Sequence, residues 1–270
     1  MGKIKLKDSV VIVTGGANGI GMELALAAAR RGAKAVAVVD LEAENAAKIS
    51  AKINDMGVAA KAYGVDVANE SQVVAMISDV EKEFGLVDLF CGNAGVGFTD
   101  GPNWLASSCS NENWQTCWDV NVMSHVYAAR ALLPKMIARG SGHFLITASA
   151  AGLLSMIGDA SYSATKHAAV AFAESMAITH KDDGIGVSVL CPQGVKTRLI
   201  EAIDSRAVAS DGLLEADDVA EFSLDCVEND VFLVLPHESV KKYMMNKAQD
   251  RDKWLEDMRV FRRWLKANPS

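Results

Sequence analysis

The sequence predicts an α/β fold, a doubly wound parallel sheet with helices on both faces. Three observations carry this. Residues 9–13, Ser-Val-Val-Ile-Val, form a continuous apolar run rich in β-branched side chains, as expected of a strand covered on both faces. A glycine-rich turn, 14–21, follows at once and leads into a helical stretch, 22–31. The same succession of apolar run and helical pattern continues down the chain, with no linker, repeat or low-complexity segment to divide it. At 270 residues and 50% hydrophobic, the chain is ample for one sizeable core and fits one domain over 1–270 better than two.

In order, the second strand covers 35–39, with Asp40 at its end. A helix over 41–56 is closed by Gly57, and strand three covers 59–65. A helix over 70–84 stops at Gly85, and 87–91 is strand four. Residues 96–110 hold Gly97, Gly101 and Pro102 beside Phe98 and Trp104 and read as a loop. A long helix runs from 111 to 138 with Asn111 as its cap. After the strand at 143–147 comes a helical segment with apolar spacing at Ala169, Val170, Phe172, Ala173, Met176 and Ala177. Strand six covers 185–190, a helix 215–228 and a last strand 231–235. Residues 198–214 show no periodicity. In the C-terminal extension, about 237–266, the residues Trp254, Leu255, Met258, Phe261 and Leu265 fall on one helical stripe, expected as core or subunit contact ahead of a substrate lid.

Two features bear on chemistry. Tyr162 and Lys166 stand at i and i+4 on one helix face, where an ammonium would favour the phenolate and bring a phenol toward neutral working pH. Ser149, just past a strand end, could hydrogen-bond the same substrate oxygen. On the pair alone, a surface Tyr and Lys on an ordinary helix is the simpler reading. The second feature is the turn Thr14-Gly15-Gly-Ala-Asn18-Gly19-Ile20-Gly21. Its glycines allow close backbone approach, and the following helix N-terminus attracts a pyrophosphate. Asp40 lies about 20 residues beyond, where its carboxylate can accept both ribose hydroxyls and repel a 2′-phosphate. With Leu41 next and no Arg or Lys in the turn, this favours NAD over NADP.

Taken together, the glycine turn, Gly92-Asn93-Ala94-Gly95, Asp119-Val-Asn121-Val, the Ser149, Tyr162 and Lys166 set, and Cys191-Pro192-Gln193-Gly194-Val195-Lys196-Thr197 resemble the short-chain dehydrogenase/reductase family in its compact form, over about 8–234. The resemblance implies a Rossmann-type fold and NAD-dependent oxidation of an alcohol. In it Tyr162 is the catalytic base, Ser149 positions the oxygen, Lys166 tunes Tyr162 and binds the ribose, and Asn121 completes a proton relay. It also implies an adenine pocket at Asp66 and Val67 and a cofactor wall at Asn93, Ala94 and Gly95. Backbone near Pro192 and Val195, with the Thr197 hydroxyl, would hold the nicotinamide end, and about 195–214 would form a loop over the substrate. Two positions depart from the family: Gly92 stands for an Asn and Gln193 for a Gly. Homotetramers or dimers are common in the family, and Ala168, Ala169, Ala171 and Ala173 offer a flat face for helix contact.

The segments expected around the substrate are apolar (Val96, Phe98, 150–157 and 199–203), which suits a small hydrophobic secondary alcohol or ketone, cyclic or aromatic. A 3-oxoacyl or 3-hydroxyacyl thioester, which would call for a basic entrance, ranks lower, since Arg198 and Arg206 are the only arginines in the substrate loop. A lyase or epimerase on the same scaffold and a non-catalytic NAD sensor are the rival classes. Net charge of -7 argues against a nucleic-acid binder. The uncharged run 141–158 carries too many polar residues and glycines for a membrane span, and no signal peptide is apparent. The five cysteines form no Cys-x-x-Cys and the five histidines show no ligand spacing, so a reduced cytoplasmic protein without a catalytic metal is expected.

Overall fold

The computed structural model describes residues 4–101, 104–201 and 211–268. Its strands are β1 (Val10–Thr14), β2 (Ala35–Asp40), β3 (Ala59–Gly64), β4 (Leu89–Gly92), β5 (Gly142–Thr147), β6 (Ile185–Leu190) and β7 (Leu233–Val234). They form one sheet in the order β3-β2-β1-β4-β5-β6-β7, every pairing parallel. Strand order reverses between β1 and β4, which opens a crevice beyond their carboxyl ends.

Side-chain alternation explains how the sheet takes two layers of helices. Val10 and Ile12 of β1 face α3 (Glu70–Phe84), α5 (Ser124–Arg139) and α6 (Ala160–His180), packing into one cluster with Ile77, Leu132 and Ala173. Val11 and Val13 point the other way, into a second cluster with Leu24 of α1 (Gly19–Arg30), Ile53 of α2 (Ala43–Asp55) and Leu224 of α8 (Ala216–Glu228). Burial of each such Val, Leu or Ile side chain contributes about 1.5–3 kcal/mol. The continuous apolar runs of the sequence are what this double covering requires.

The helix expected over 111–138 is interrupted. It comprises α4 (Asn111–Trp118), a π-helical segment (Asp119–Met123) and α5. Its cap is Ser110, whose extended backbone lets the side chain accept from the Asn113 N–H, and not Asn111. Ala169 and Ala173, expected on an intersubunit face, are fully buried in the core, because that side of α6 covers the sheet. After a short helix, α7 (Arg198–Glu201), residues 202–210 of the expected substrate loop lie outside the described residues. The C-terminal extension forms α9 (Ser239–Gln249) and α10 (Arg251–Ala267), with Asp250 capping the second. Among the described residues, no helix is long and apolar enough to cross a membrane.

Gly92 has a packing reason of its own. A Cβ there would stand 2.5 Å from Nδ1 of His125, a ring buried to 3% exposure on α5. The imidazole thus fills the space a side chain at position 92 would take, and burial pushes it down to about 3, so it is neutral. Gly92→Ala is expected to lower unfolding stability by about 1–3 kcal/mol, and His125→Ala in the same chain to restore part of it, as read by denaturant titration.

Candidate active site

The crevice at the strand ends is a cleft of about 1240 Å³. One half is built by the turn after β1. Gly15 and Gly19 take φ of +63° and +51°, and a Cβ on Gly21 would lie 2.1 Å from the Gly15 carbonyl oxygen, so only glycine permits this turn. Asn18 is the extended N-cap of α1 and makes no side-chain cap hydrogen bond, which leaves first-turn N–H groups free for an anion. Gly15, Asn18, Gly19 and Ile20 line the cleft, whereas Gly21 lies behind its wall and packs the turn together.

Thr14 is a residue the sequence reading passed over. Its Oγ1 accepts from the Asn93 and Ala94 N–H groups at 2.9 and 3.1 Å and donates to the Cys91 carbonyl, tying the turn to the segment after β4. Asn93 Nδ2 donates back to the Thr14 carbonyl at 3.2 Å. Asn93, Ala94 and Gly95 thereby form a rigid floor to the cleft. A threonine at the end of the first strand was the available signal.

Asp40, Leu41, Asp66 and Val67 line the same end. The Asp40 carboxylate accepts from the Ala17 N–H at 3.0 Å and from the Glu42 N–H at 3.1 Å, so it is oriented before any ligand arrives. Asp66 is held likewise by the Ala68 N–H at 2.9 Å. Leu41 is 74% exposed at the rim.

At the other end α6 delivers Tyr162 and Lys166 one turn apart. Lys166 is 2% exposed, donates to the Thr147 carbonyl at 3.0 Å and lies 5.4 Å from the centre of the Tyr162 ring. Ser149 caps a 3-10 turn (Ala150–Gly152) by accepting from the Ala151 N–H, and also hydrogen-bonds Tyr162. Burial pushes the Tyr162 hydroxyl up to about 12 against that lowering hydrogen bond, and pulls Lys166 down to about 8. Desolvation thus opposes the expected pull of the ammonium on the phenol.

Asn121 sits in the π-helical segment, fully buried behind the cleft wall. Its Oδ1 accepts from the Val96 N–H at 2.9 Å, while Nδ2 donates to the Val96 carbonyl and to Thr165 Oγ1. The amide thus holds the 94–96 segment against α6.

Pro192, Val195 and Thr197, after β6, close the cleft beside Gly19. Gln193 also lines it, its Oε1 accepting from Ser239 of α9 at 3.1 Å, so the family departure at 193 ties this turn to the C-terminal extension. The remaining wall carries apolar side chains, Val96, Leu154, Met156, Ile157 and Ile200 with Trp254, Met258 and Phe261 of α10, and a polar margin from Asn246 to Asp257. The C-terminal stripe is corrected accordingly. Three of its residues face the cleft, Leu265 is core and Leu255 is 46% exposed. Phe98, expected here, is not part of the lining.

A family model for short chain dehydrogenase matches residues 9–207. The chain belongs to the short-chain dehydrogenase/reductase family. It is 29% identical over 248 residues to 1-deoxy-11-beta-hydroxypentalenate dehydrogenase of Streptomyces exfoliatus, covering 91% of this chain and 89% of that one. It is 32% identical over 232 residues to epidermal retinol dehydrogenase 2 of Mus musculus, covering 84% and 74%. A short chain dehydrogenase/reductase from Burkholderia phymatum, solved in complex with NAD, matches with a TM-score of 0.82 at 27% identity, over 92% of this chain and 96% of that one.

In this short-chain dehydrogenase the cap of α6 is itself unusual. Asp159 accepts from the Tyr162 N–H at 2.9 Å and lines the cleft, while Asp100 accepts from the Ala160 N–H at 3.2 Å. Burial, with some help from Asp100, pushes Asp159 from the usual 3.8 up to about 6, against the hydrogen bonds it accepts. A carboxyl with a raised folded pKa stabilises the fold below its unfolded value and loses that contribution as pH rises through the folded one. The wild type is therefore expected to lose stability between about pH 4 and 6 from this group. Asp159→Asn, which keeps the cap oxygen but does not ionise, should flatten that decline in denaturant titrations at pH 4.5 and 7.

Proposed function

We propose that this short-chain dehydrogenase is an NAD-dependent oxidoreductase interconverting a hydrophobic secondary alcohol, cyclic or aromatic, and its ketone. The observation that carries the reading is the convergence of Ser149, Tyr162 and Lys166 at the apolar end of a cleft whose other end offers an uncapped helix N-terminus and an oriented Asp40. Two relatives bear the names of dehydrogenases of a hydroxypentalenate and of retinol, which points the substrate class toward alcohols. The whole chain acts as one dinucleotide-binding domain, with α10 of the 237–266 extension adding Trp254, Met258 and Phe261 to the substrate end; the substrate loop expected over about 195–214 lies in part outside the described residues.

The residues fit a dinucleotide. Gly15, Asn18, Gly19 and Ile20 hold the pyrophosphate at the α1 N-terminus, with Gly21 keeping the turn tight behind them, and an added Cβ on Gly19 would meet Thr197 at 2.8 Å. Asp40 and Leu41 take the adenosine ribose, Asp66 and Val67 the adenine, and Asn93, Ala94 and Gly95 the cofactor wall. Lys166 binds the second ribose, and Pro192, Val195 and Thr197 the nicotinamide end. Asp40 favours NAD, since its charge opposes a 2′-phosphate. When bound, the oxidised nicotinamide supplies the hydride acceptor and a positive charge.

Ser149 and Tyr162 hydrogen-bond the substrate oxygen, and deprotonated Tyr162 takes the hydroxyl proton as hydride leaves the same carbon. Lys166 carries charge beside the phenol, and Asn121 serves the relay by keeping the 94–96 wall in place. Reduction runs the same steps backwards, with Tyr162 as the acid. The protein works in a reducing compartment such as the cytoplasm, in keeping with five unbridged cysteines, three of them, Cys91, Cys117 and Cys191, buried.

The test follows nicotinamide absorbance with NAD or NADP and a panel of secondary alcohols. Turnover with NAD is expected, with Tyr162→Phe losing about 10²–10⁴ in rate while still folding. Near-normal turnover in that variant, or preference for NADP, would refute the assignment. Oxidation needs Tyr162 deprotonated while burial holds its hydroxyl up at about 12, so alcohol oxidation is expected to speed up from pH 7 to 9 while ketone reduction, which uses the phenol, stays level.

The chain also assembles as a tetramer or dimer through α4 to α6. Trp118, Ala171 and Ile178 lie exposed on these helices, the last at 83%. Light scattering is expected to give an oligomer, and a lone monomer would remove this part of the reading.

A further inference from the structure

Among the described residues, one buried ammonium lies outside the cleft lining and has no carboxylate among its hydrogen-bond partners. Lys247, on α9, is 7% exposed. Its ammonium donates to the Leu153 and Leu154 carbonyls at 2.7 and 2.8 Å and stands 3.4 Å from Nε2 of His167. His167 Nδ1 is 2.8 Å from the Ser163 carbonyl, which can only accept, so Nδ1 carries the proton and Nε2 is the bare acceptor. The three donors of an ammonium thus meet three acceptors. The ring of Trp254 lies 4.9 Å away, placed for a cation–π contact.

These partners belong to three separate pieces of the cleft. Leu154 begins the wall that runs through 154–157, and Leu153 stands just ahead of it, after the 3-10 turn that follows Ser149. His167 follows Lys166 on α6. Trp254 belongs to the facing wall on α10. On the same side of α9, at four-residue spacing, Ser239 bonds Gln193 and Asp211, and Tyr243 donates to Asp211 at 3.0 Å. Polar contacts therefore hold α9 along its length, and Lys247 ends the series at the substrate side.

We infer that Lys247 is a positioning residue for the substrate: its ammonium ties the 153–157 wall to Trp254, so that both apolar faces of the cleft stand in place before the alcohol arrives. A methionine at 247 would keep the length of the side chain but leave two carbonyls and an imidazole nitrogen unpaired. The wall would then loosen while the α1 end of the cleft stayed as it is. This rests on the alcohol dehydrogenase reading above.

The test compares Lys247→Met with wild type in three measurements: amide hydrogen exchange of peptides covering 150–157 and 251–265 without substrate, NAD titration, and steady-state kinetics with whichever panel alcohol the wild type oxidises fastest. Exchange in both peptides is expected to quicken about tenfold together. KM should rise about tenfold, with kcat and NAD affinity changed by less than about threefold. Unchanged exchange in either peptide, an unchanged KM, or a KM that weakens in step with NAD affinity would overturn the assignment. Should Lys247→Met fail to fold, His167→Leu removes one acceptor and leaves the ammonium, and the same split is expected at about threefold in KM. A wild type that oxidised no alcohol would sink the functional reading instead, and exchange would then decide the role of Lys247 by itself.

Discussion

The Lys166 ammonium is almost wholly out of solvent and gives a hydrogen bond to the Thr147 carbonyl, and the arrangement of the site follows from that bond. An ammonium removed from water is costly unless acceptors reach it. Here the acceptor is the last residue of β5, so α6 cannot slide along the sheet without stranding the charge. That fixes Tyr162, one turn earlier, against Ser149 just past the same strand end. Asp159 holds the start of the helix through the Tyr162 N–H, and Asn121 and Thr165 lock its inner face to the 94–96 segment.

The loop after Ser149 has a buried lysine on each side of it. Lys166 holds Thr147 before it, and Lys247 holds Leu153 and Leu154 within it. Both ammonium groups are satisfied by backbone carbonyls, acceptors that every residue type supplies. No pattern of side chains along the loop announces them. Lys247 lies 94 and 93 positions from its two partners, and its surroundings in sequence, Asn246 and Ala248, look like any solvated helix.

The departures at Gly92 and Gln193 show how a fold absorbs changes in a family pattern. At 92 the lost side chain is replaced in space by His125, which comes from a different helix and a different layer. At 193 a gained side chain finds Ser239 in the C-terminal extension. Each compensation is made by a residue remote in sequence. Reading either position alone left open whether something was lost, moved or gained.

By itself the sequence determined the element order, the covered-on-both-faces character of the strands, the glycine turn after β1 and the spacing of Tyr162 and Lys166. All of these are written in local rules: side-chain period, steric demands of a tight turn, and the pitch of a helix. The ends of β6 and α3 were legible to the residue because β-branched runs and Gly85 mark them. Only the tertiary structure decided the π-helical break at Asn121, the role of Thr14, the turning of Trp254, Met258 and Phe261 toward the cleft, and the direction in which burial moves Tyr162 and Lys166. An amphipathic stripe states that a helix has something to cover but not what, and a pKa depends on how much water surrounding elements remove, which no stretch of sequence carries alone.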